Sequence, residues 1–220
     1  MLSGQLPDDV AVVETTNDSD LTVLFPEERW LVAASSPARQ REFATGRHCA
    51  RRAFGLLGWP PMPVLRDGRR NPQWPSGLVG SITHCPGYCA AAVAQRTDYD
   101  AIGIDAEPNA SLASRVLNSI ASREEQDHLW ALARAHPGVS WDRAIFSAKE
   151  SVYKAWYQLD QRWHDFHDVT IRFDPGTQTY TSVARGWLWA PVTGSFSVQD
   201  GLILSSAVVR ATEMAVELEV

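Results

Sequence analysis

The chain lacks the features that mark membrane, exported and disulfide-rich proteins. Its 220 residues contain no apolar run close to the ~20 residues of a membrane-spanning helix. Residues 1–20 carry acids where an export signal has a basic segment followed by an apolar one. The three cysteines, Cys49, Cys85 and Cys89, are an odd number and argue against a disulfide framework. We therefore expect a reduced, cytoplasmic protein with no membrane partner.

The chain also has little positive charge overall. Its formal net charge of −6 and pI of about 5.5 argue against a protein that binds nucleic acid by neutralising phosphates. Between residues 39 and 70, however, there are eight arginines and only two acids. This arginine island suits a small polyanion, because the planar guanidinium can grip a phosphate at two points. A merely basic surface helix explains the same composition equally well. The arginines are Arg39, Arg41, Arg47, Arg51, Arg52, Arg66, Arg69 and Arg70.

Lysine is the scarcest charged residue, and both copies lie in one predicted helix, residues 141–159. Lys149 and Lys154 fall within a single stretch of nine residues, and Glu150 is one helical turn before Lys154 on the same side. An apolar stripe occupies a different face of this helix, formed by Ile145, Ala148, Val152, Ala155 and Leu159. The helix can therefore pack on a core while it presents Glu150, Tyr153 and ammonium groups to a ligand.

A predicted strand supplies two further acids. In residues 101–106 the two-residue period turns Ile102 and Ile104 inward and puts Asp105 and Glu107 on the opposite face, about 7 Å apart at Cα. A few oxygen ligands on a rigid strand fit Mg²⁺ better than zinc or a calcium cage, because Mg²⁺ keeps waters and recruits substrate phosphate. Two exposed acids at a strand end are the alternative interpretation.

A first predicted helix carries part of the arginine island. Ser36-Pro37 has the form of an N-cap followed by proline at the first helical position, and the helix is expected to end near Leu57, before Gly58. Arg47 lies on the flank of the apolar stripe of this helix. We therefore expect a partly buried side chain whose guanidinium needs an anion.

Two other features add candidates for a phosphate site. Asp67-Gly68 predicts a tight turn that displays Arg66 and Arg69, although an ordinary surface hairpin has the same signature. His84 follows a predicted strand. A lone histidine in such a place is most often structural, and its spacing to the neighbouring cysteines is poor for zinc. Its position beside the arginine island keeps a phosphate contact open.

The order of elements suggests an internal duplication. Strand signals at 78–83, 89–94 and 101–106 indicate an antiparallel meander. Further strand signals follow the second helix, at 168–174, 178–185, 195–199 and 202–209. We predict an α+β fold of two similar α/β lobes related by pseudo-twofold duplication, residues 1–103 and 104–220. Each lobe is a helix packed on a small, mostly antiparallel sheet, and we expect the active site in the cleft between them.

Two of these stretches together resemble a known family. Gly103-Ile104-Asp105-Ala106-Glu107 and, about 40 residues further on, Phe146-Ser147-Ala148-Lys149-Glu150-Ser151-Val152-Tyr153-Lys154 look like the paired signature of the Sfp-type (group II) 4′-phosphopantetheinyl transferases. Either half alone is moderately specific, and the two halves together are strongly specific. The resemblance covers residues 37–210.

Upstream motifs extend the resemblance. Pro72-Gln73-Trp74-Pro75 and Ser81-Ile82-Thr83-His84-Cys85 resemble the family's upstream motif, although many members read Ser-His-Ser at the last three positions. Arg47-His48-Cys49-Ala50-Arg51 and Gly58-Trp59-Pro60-Pro61 look closest to the actinobacterial branch, which serves polyketide and nonribosomal peptide synthases.

The resemblance implies a Mg²⁺-dependent transfer of the 4′-phosphopantetheine arm from coenzyme A to a serine of apo acyl or peptidyl carrier proteins. The other product is 3′,5′-ADP, and the enzyme is expected to be a monomer. Asp105, Glu107 and Glu150 would hold Mg²⁺, with Mn²⁺ as an alternative ion. Glu150, directly or through a metal-bound water, would take the serine proton, and Lys154 would assist the departing phosphate. The residues implied for the phosphates of coenzyme A are Arg39, Arg47, Arg66, Arg69, His84 and Lys149.

Two other classes of function use the same residues. A Mg²⁺-dependent hydrolase of small phosphoanhydrides would use the acids with water as nucleophile, and a non-catalytic module that binds carrier proteins would need no metal. An apolar strip either docks a carrier protein or packs in the core of a short helix. It consists of Leu112, Val116, Leu117 and Ile120.

Overall fold

The structure is mixed helix and antiparallel sheet. A computed structural model describes residues 1–162, 164–184 and 192–211, without the side chain of residue 114. The helices are α1 (Pro26–Trp30), α2 (Pro37–Leu56), α3 (Ser114–Ile120), α4 (Arg123–Ala135) and α5 (Trp141–Asp160). The strands are β1 (Ala11–Thr15), β2 (Leu65–Arg66), β3 (Pro72–Gln73), β4 (Leu78–Cys85), β5 (Tyr88–Gln95), β6 (Tyr99–Pro108), β7 (Val169–Asp174), β8 (Thr179–Ala184), β9 (Val192–Gln199) and β10 (Leu202–Arg210). Short 3₁₀ helices occupy Leu2–Gln5, Leu21–Val23 and Phe166–Asp168. In the described ranges, no helix is both long and apolar enough to cross a membrane.

Two antiparallel sheets organise the chain, each covered by one long helix. The first has the strand order β1-β5-β4, and the second has the order β6-β10-β9-β8-β7. Helix α2 packs on the first sheet through Ala50 and Phe54, and α5 packs on the second through Ala148 and Val152. The predicted α+β class, with a helix on an antiparallel sheet in each half, is confirmed. The predicted boundary between residues 103 and 104 falls inside β6 and stays a prediction.

The predicted meander of three strands is wrong in its third member. Strand β6 pairs with β10 along its length and has no ladder to β5. The physical reason is that both edges of β5 are already occupied, one by β4 and the other by β1. The four later strands are present close to their predicted bounds, with residue 185 lying outside the described residues.

Strands β4 and β6 lie side by side where the two sheets meet, and side chains hydrogen-bond across this seam. The Ser81 hydroxyl accepts the backbone N–H of Ile104 at 3.1 Å, and the Thr83 hydroxyl accepts that of Ala106 at 3.0 Å. Both hydroxyls are buried. They satisfy backbone donors that would otherwise be unpaired in the interior.

Helix α5 satisfies the backbone acceptors of the same strand. Gln158 donates to the carbonyl of Ile102 at 2.6 Å, and Lys154 donates to the carbonyl of Ile104 at 3.0 Å. Gln158 also accepts the backbone N–H of Gly80 on β4 at 3.2 Å. The helix therefore bonds to both sheets at the seam and holds Lys154 at this place.

The N-terminal segment covers the face of the sheets opposite the long helices. Leu2, Leu6 and Val10 are buried in one apolar cluster with Ile102 and Ile104 of β6, together with alanines of β5. This packing confirms the predicted alternation, in which Ile102 and Ile104 point away from the face of Gly103, Asp105 and Glu107. The segment thus contributes to a core shared by both halves of the chain.

Gly103 sets the distance between β6 and α5. A Cβ atom at this position would lie 1.7 Å from the backbone carbonyl oxygen of Ser151, a distance that no packing tolerates. Because the obstacle is the helix backbone, no side-chain rotation can relieve the clash. The glycine therefore allows α5 to approach closely enough for Lys154 and Gln158 to reach the seam.

We expect Gly103→Ala to lower the free energy of unfolding by about 3 kcal/mol or more, because α5 must move away from β6. Urea denaturation measures this change. The matched control is Gly55→Ala in α2, where an added Cβ meets nothing within 4 Å. That substitution is expected to stabilise by up to about 1 kcal/mol. Similar effects of the two changes would show that the close approach at Gly103 is not a constraint.

Candidate active site

A cavity of about 200 Å³ lies between the two halves of the chain. It is bounded by α2, the β2–β3 hairpin, β4 and α5. Its basic lining residues are Arg39, Arg47, Arg66, Arg70, His84 and Lys154. Aromatic surface is supplied by Phe43, Trp74 and Tyr157. The cavity therefore suits an anionic ligand that also carries a planar or apolar group.

Arg47 is a buried cation of this cavity, with only 5% of its surface exposed. Its Nε donates to the carbonyl of Val64 at 2.7 Å, and its guanidinium carbon lies 4.1 Å from the centre of the Phe43 ring. Burial lowers the pKa of Arg47 to about 10, a shift that Glu28 opposes and the neighbouring arginines increase. Because like charges destabilise one another here, a bound anion would stabilise the cluster.

A second buried group explains why Arg51 does not join the cavity. The Glu28 carboxylate is fully buried and accepts hydrogen bonds from the Arg51 guanidinium at 2.9 Å and the backbone N–H of Val64 at 2.8 Å. This ion pair connects α1, α2 and the segment before β2. It thereby fixes the start of the hairpin that carries the next two arginines. No pattern in the sequence singles out Glu28.

The hairpin places Arg66 and Arg70 in the cavity wall, and Arg69 elsewhere. Burial lowers the pKa of Arg66, and so do the charges of Arg70 and Arg39. The Arg69 guanidinium instead donates to the carbonyl of Gln161, at the end of α5, at 3.2 Å. Arg69 therefore does not line the cavity, and its binding of phosphate stays a prediction. Arg70 follows Arg69 directly and has a left-handed backbone with φ of 72°. It was not predicted as a phosphate-binding residue, although it is adjacent to Arg69, which was.

Arg39 and His84 meet at the mouth of the cavity. The Arg39 guanidinium lies 2.5 Å from the Nε2 of His84 and 3.1 Å from the Glu42 carboxylate. Burial lowers the pKa of His84, and the charge of Arg39 lowers it further. The imidazole is therefore neutral at pH 7 and accepts a hydrogen bond from Arg39.

The two acids of β6 each contact a cation of α5. Lys154 donates to Oδ1 of Asp105 at 2.7 Å, and Arg143 donates to Oε2 of Glu107 at 2.8 Å. The other oxygen of Asp105, Oδ2, is buried and has no hydrogen-bond partner among the described residues. Burial raises the pKa of Glu107, and the charge of Asp105 adds to this effect. Oδ2 of Asp105 can therefore still accept a hydrogen bond or bind a cation.

Glu150 interacts electrostatically with Lys154 and with the two acids of β6. Burial raises its pKa, Lys154 opposes the shift, and Asp105 and Glu107 increase it. The charges of Asp105 and Glu107 therefore reach Glu150, and a metal site shared by the three acids stays a prediction. Within the described residues, however, no group of three or more histidine, cysteine, aspartate or glutamate side chains is arranged as a ready site for a metal ion.

Lys149, the neighbour of Glu150, is directed away from the cavity. Its ammonium is buried and donates to the carbonyls of Ile120 and Phe166, at 2.7 and 2.8 Å, and to the Glu125 carboxylate. These contacts use the Lys149 ammonium inside the C-terminal half, and its binding of pyrophosphate stays a prediction. Lys149 and Glu150 do not line the arginine cavity but both line a second cavity of the C-terminal half.

The apolar strip around α3 packs inward. Ile120 is buried, and Leu112, Val116 and Leu117 are partly buried against the core under α5. This placement agrees with the alternative of core packing, and the role of the strip as a docking surface stays a prediction. Helical spacing predicted one apolar face correctly, but spacing alone does not say what covers that face.

The fold and the site define a class: a protein of two sheet-and-helix halves whose shared cavity collects arginines and Lys154, which also contacts the Asp105 carboxylate. Residues 27–94 match the 4′-phosphopantetheinyl transferase N-terminal domain, and residues 101–202 match the 4′-phosphopantetheinyl transferase superfamily. Among solved structures, a holo-[acyl-carrier-protein] synthase from Thermotoga maritima is similar at 17% identity with a TM-score of 0.40, over 50% of this chain and 63% of that chain.

Curated relatives cover most of the chain. The 4′-phosphopantetheinyl transferase Svp of Streptomyces mobaraensis is 44% identical, over 88% of this chain and 82% of its own length. PptT of Mycobacterium tuberculosis is 38% identical, over 94% of this chain and 96% of its own length. Npt of Nocardia iowensis is 41% identical, over 79% of this chain and 77% of its own length. The chain belongs to the 4′-phosphopantetheinyl transferase superfamily. The resemblance to the actinobacterial branch is confirmed.

The two lysines of α5 are expected to respond differently to removal. Lys149→Ala should lower the free energy of unfolding by about 3–5 kcal/mol, because it leaves the Glu125 carboxylate buried and unpaired. In protein that remains folded, the apparent KM for coenzyme A should stay unchanged. Lys154→Ala should cost less stability, since a quarter of that side chain is exposed, and should abolish turnover. A raised KM for coenzyme A in folded Lys149→Ala would show that Lys149 contributes to binding its phosphates.

Proposed function

We propose that the cavity binds coenzyme A and that the chain transfers its 4′-phosphopantetheine arm to a serine of an apo carrier protein, releasing 3′,5′-ADP. The observation that carries this proposal is the convergence of cations from α2, the hairpin and α5 on one cavity. Coenzyme A carries a pyrophosphate and a 3′-phosphate, so several cations must meet its charge. Its adenine and pantetheine parts suit the aromatic and apolar wall.

The charges of the cavity support binding of phosphate groups. Burial and neighbouring arginines lower the pKa of both Arg47 and Arg66, because the positive charges of the cluster repel one another. Phosphate oxygens would relieve this repulsion and accept hydrogen bonds in return. Arg70 adds an exposed guanidinium from the hairpin, and His84 adds an imidazole at the mouth.

The acids support a divalent cation beside the pyrophosphate. The donor set of Asp105, Glu107 and Glu150 is all oxygen. Besides burial, the charge of Asp105 raises the pKa of Glu107, and the charges of both raise the pKa of Glu150. Oδ2 of Asp105 is left without a partner among the described residues. These properties fit Mg²⁺, or Mn²⁺ in its place. When bound, such an ion would neutralise charge on the pyrophosphate.

The residues of the chain supply proton transfer and charge. The serine oxygen of the carrier protein attacks the phosphorus next to pantetheine, the bond from that phosphorus to the bridging oxygen breaks, and 3′,5′-ADP leaves. Glu150 receives the serine proton, and its burial favours this role because a raised pKa makes a stronger base. Lys154 lies beside Asp105 and would place positive charge at the departing phosphate.

The proposal also covers the carrier proteins that are modified, the oligomeric state and the cellular location. The motifs at residues 47–51 and 58–61 favour apo acyl and peptidyl carrier proteins of polyketide and nonribosomal peptide synthases. A monomer is favoured because both walls of the cavity come from one chain. A cytoplasmic location agrees with three unpaired cysteines, Cys49, Cys85 and Cys89.

The decisive experiment is mass spectrometry of an apo carrier domain after incubation with this protein, Mg²⁺ and coenzyme A. Wild-type protein should add the mass of one phosphopantetheine arm, and chelation of the metal should stop the addition. Glu150→Gln should slow transfer by at least about 100-fold, because the acceptor of the serine proton is lost. Glu124→Gln, on the exposed side of α4, is the matched control. Release of 3′,5′-ADP without modification of the carrier would indicate a hydrolase instead.

Arg70→Ala tests the phosphate site without disturbing the core, because Arg70 is exposed. We expect the apparent KM for coenzyme A to rise about tenfold while kcat changes much less, since a contact with the ligand is lost in both ground and transition states. Arg52→Ala, an exposed arginine of α2 outside the cavity wall, serves as control. An unchanged KM in Arg70→Ala would remove the hairpin from the binding site.

A further inference from the structure

The β2–β3 hairpin belongs to the N-terminal half but is bonded to the helix of the other half. Tyr157 of α5 donates its hydroxyl hydrogen bond to Oδ2 of Asp67 in the hairpin turn. Arg69 in the same turn donates to the carbonyl of Gln161 just after α5. These contacts join parts of the chain separated by about ninety residues. They close one side of the cavity.

The same carboxylate also shapes the turn. Oδ1 of Asp67 accepts the backbone N–H groups of Arg69 at 2.8 Å and Asn71 at 2.9 Å. Arg70 lies between these two residues and has a left-handed backbone with φ of 72°, which is unfavourable for a residue with a side chain. Asp67 thus organises the turn with one oxygen and contacts α5 with the other.

The turn lies between two cavity arginines, of which Arg66 also donates to the carbonyl of Leu31 and lies over the Phe43 ring. Arg66 precedes Asp67, Arg70 follows it, and both line the cavity. Burial tends to raise the pKa of Asp67, but hydrogen bonds from Tyr157 and from the backbone of Asn71 and Arg69 outweigh it and lower that pKa. The carboxylate is therefore charged at neutral pH, and its hydrogen bond from Tyr157 is charge-assisted.

We propose that Asp67 and Tyr157 are positioning residues, whose contact clasps the hairpin to α5 and so holds Arg66 and Arg70 at the phosphates of coenzyme A. This inference rests on the proposed function of the cavity. Asp67 has the wrong charge to bind phosphate, so it acts through the arginines it places. Tyr157 also lines the cavity, and its direct contact with ligand must be separated from its action through Asp67.

The test compares Tyr157→Phe, which removes only the hydroxyl, with Asp67→Ala. For each, the affinity for coenzyme A and for 3′,5′-ADP is measured by calorimetry, and KM and kcat are measured for transfer. We expect each change to weaken both affinities and raise KM about tenfold, with kcat nearly unchanged. The double variant should be no worse than Asp67→Ala alone, because Asp67→Ala already removes the contact with Tyr157. Asp67→Asn should lose less, since it keeps the oxygen that shapes the turn.

A matched control removes a similar contact far from the cavity. Tyr99 donates its hydroxyl hydrogen bond to Asp9 of the N-terminal segment. Tyr99→Phe makes the same chemical change as Tyr157→Phe and should leave the affinity for coenzyme A unchanged. If both substitutions weaken binding equally, the effect is a general loss of stability, and the clasp is overturned.

The arginines themselves provide the second test. In a background of Arg66→Ala with Arg70→Ala, Tyr157→Phe should have no further effect on ligand affinity, because there is nothing left to position. A persistent effect would mean that Tyr157 binds ligand directly, which contradicts the proposal. If Asp67→Ala does not fold, the proposal is still tested by Tyr157→Phe alone and by Tyr157→Phe in the background of Arg66→Ala with Arg70→Ala. Unchanged affinity in Tyr157→Phe, with normal transfer by wild type, refutes only the clasp, whereas absence of transfer by wild type refutes the proposed function.

Discussion

The structure depends on how strand β6 is held at the junction of the two sheets. One edge of β6 pairs with β10, and the other edge faces β4 without a regular ladder. Buried backbone groups there must find partners, and side chains of Ser81, Thr83, Lys154 and Gln158 provide them. Because Lys154 contacts both the backbone of this edge and the carboxylate of Asp105, the bonds that close the junction also position groups of the candidate active site. Fold and site are therefore built from the same contacts.

A buried glutamate recurs in equivalent places of the two halves. Glu28 accepts the backbone N–H of Phe25 at the start of α1, a cation of α2 and the N–H of Val64. Glu125 accepts the N–H of Ser122 before α4, the ammonium of Lys149 on α5 and the N–H of Ile171. In each half, one carboxylate thus connects a short helix, the long helix and a downstream segment. This repetition supports the duplication that the order of elements suggested.

Much of the fold was predictable from local patterns. Ser36-Pro37 indicated the start of α2 correctly, and the alternation of Ile102 and Ile104 predicted the two faces of β6. The pairing of β6 was not predictable, because hydrophobic alternation is compatible with any partner strand. Whether β10 or β5 supplies that partner depends on which edges other strands leave open, and this is a property of the assembled sheets.

The site shows the same division at the level of single residues. The sequence by itself determined the chemistry: an arginine island, three acids, and lysines confined to one helix. The resemblance of residues 103–107 and 146–154 to a paired signature indicated the family. Only the tertiary structure decided which of these groups share a cavity. It brings in Arg70 in place of Arg69 and turns Lys149 to a buried carboxylate while Lys154 reaches the junction. The physical reason is that adjacent residues point in different directions, and the direction that matters is set by turns and packing between parts of the chain distant in sequence.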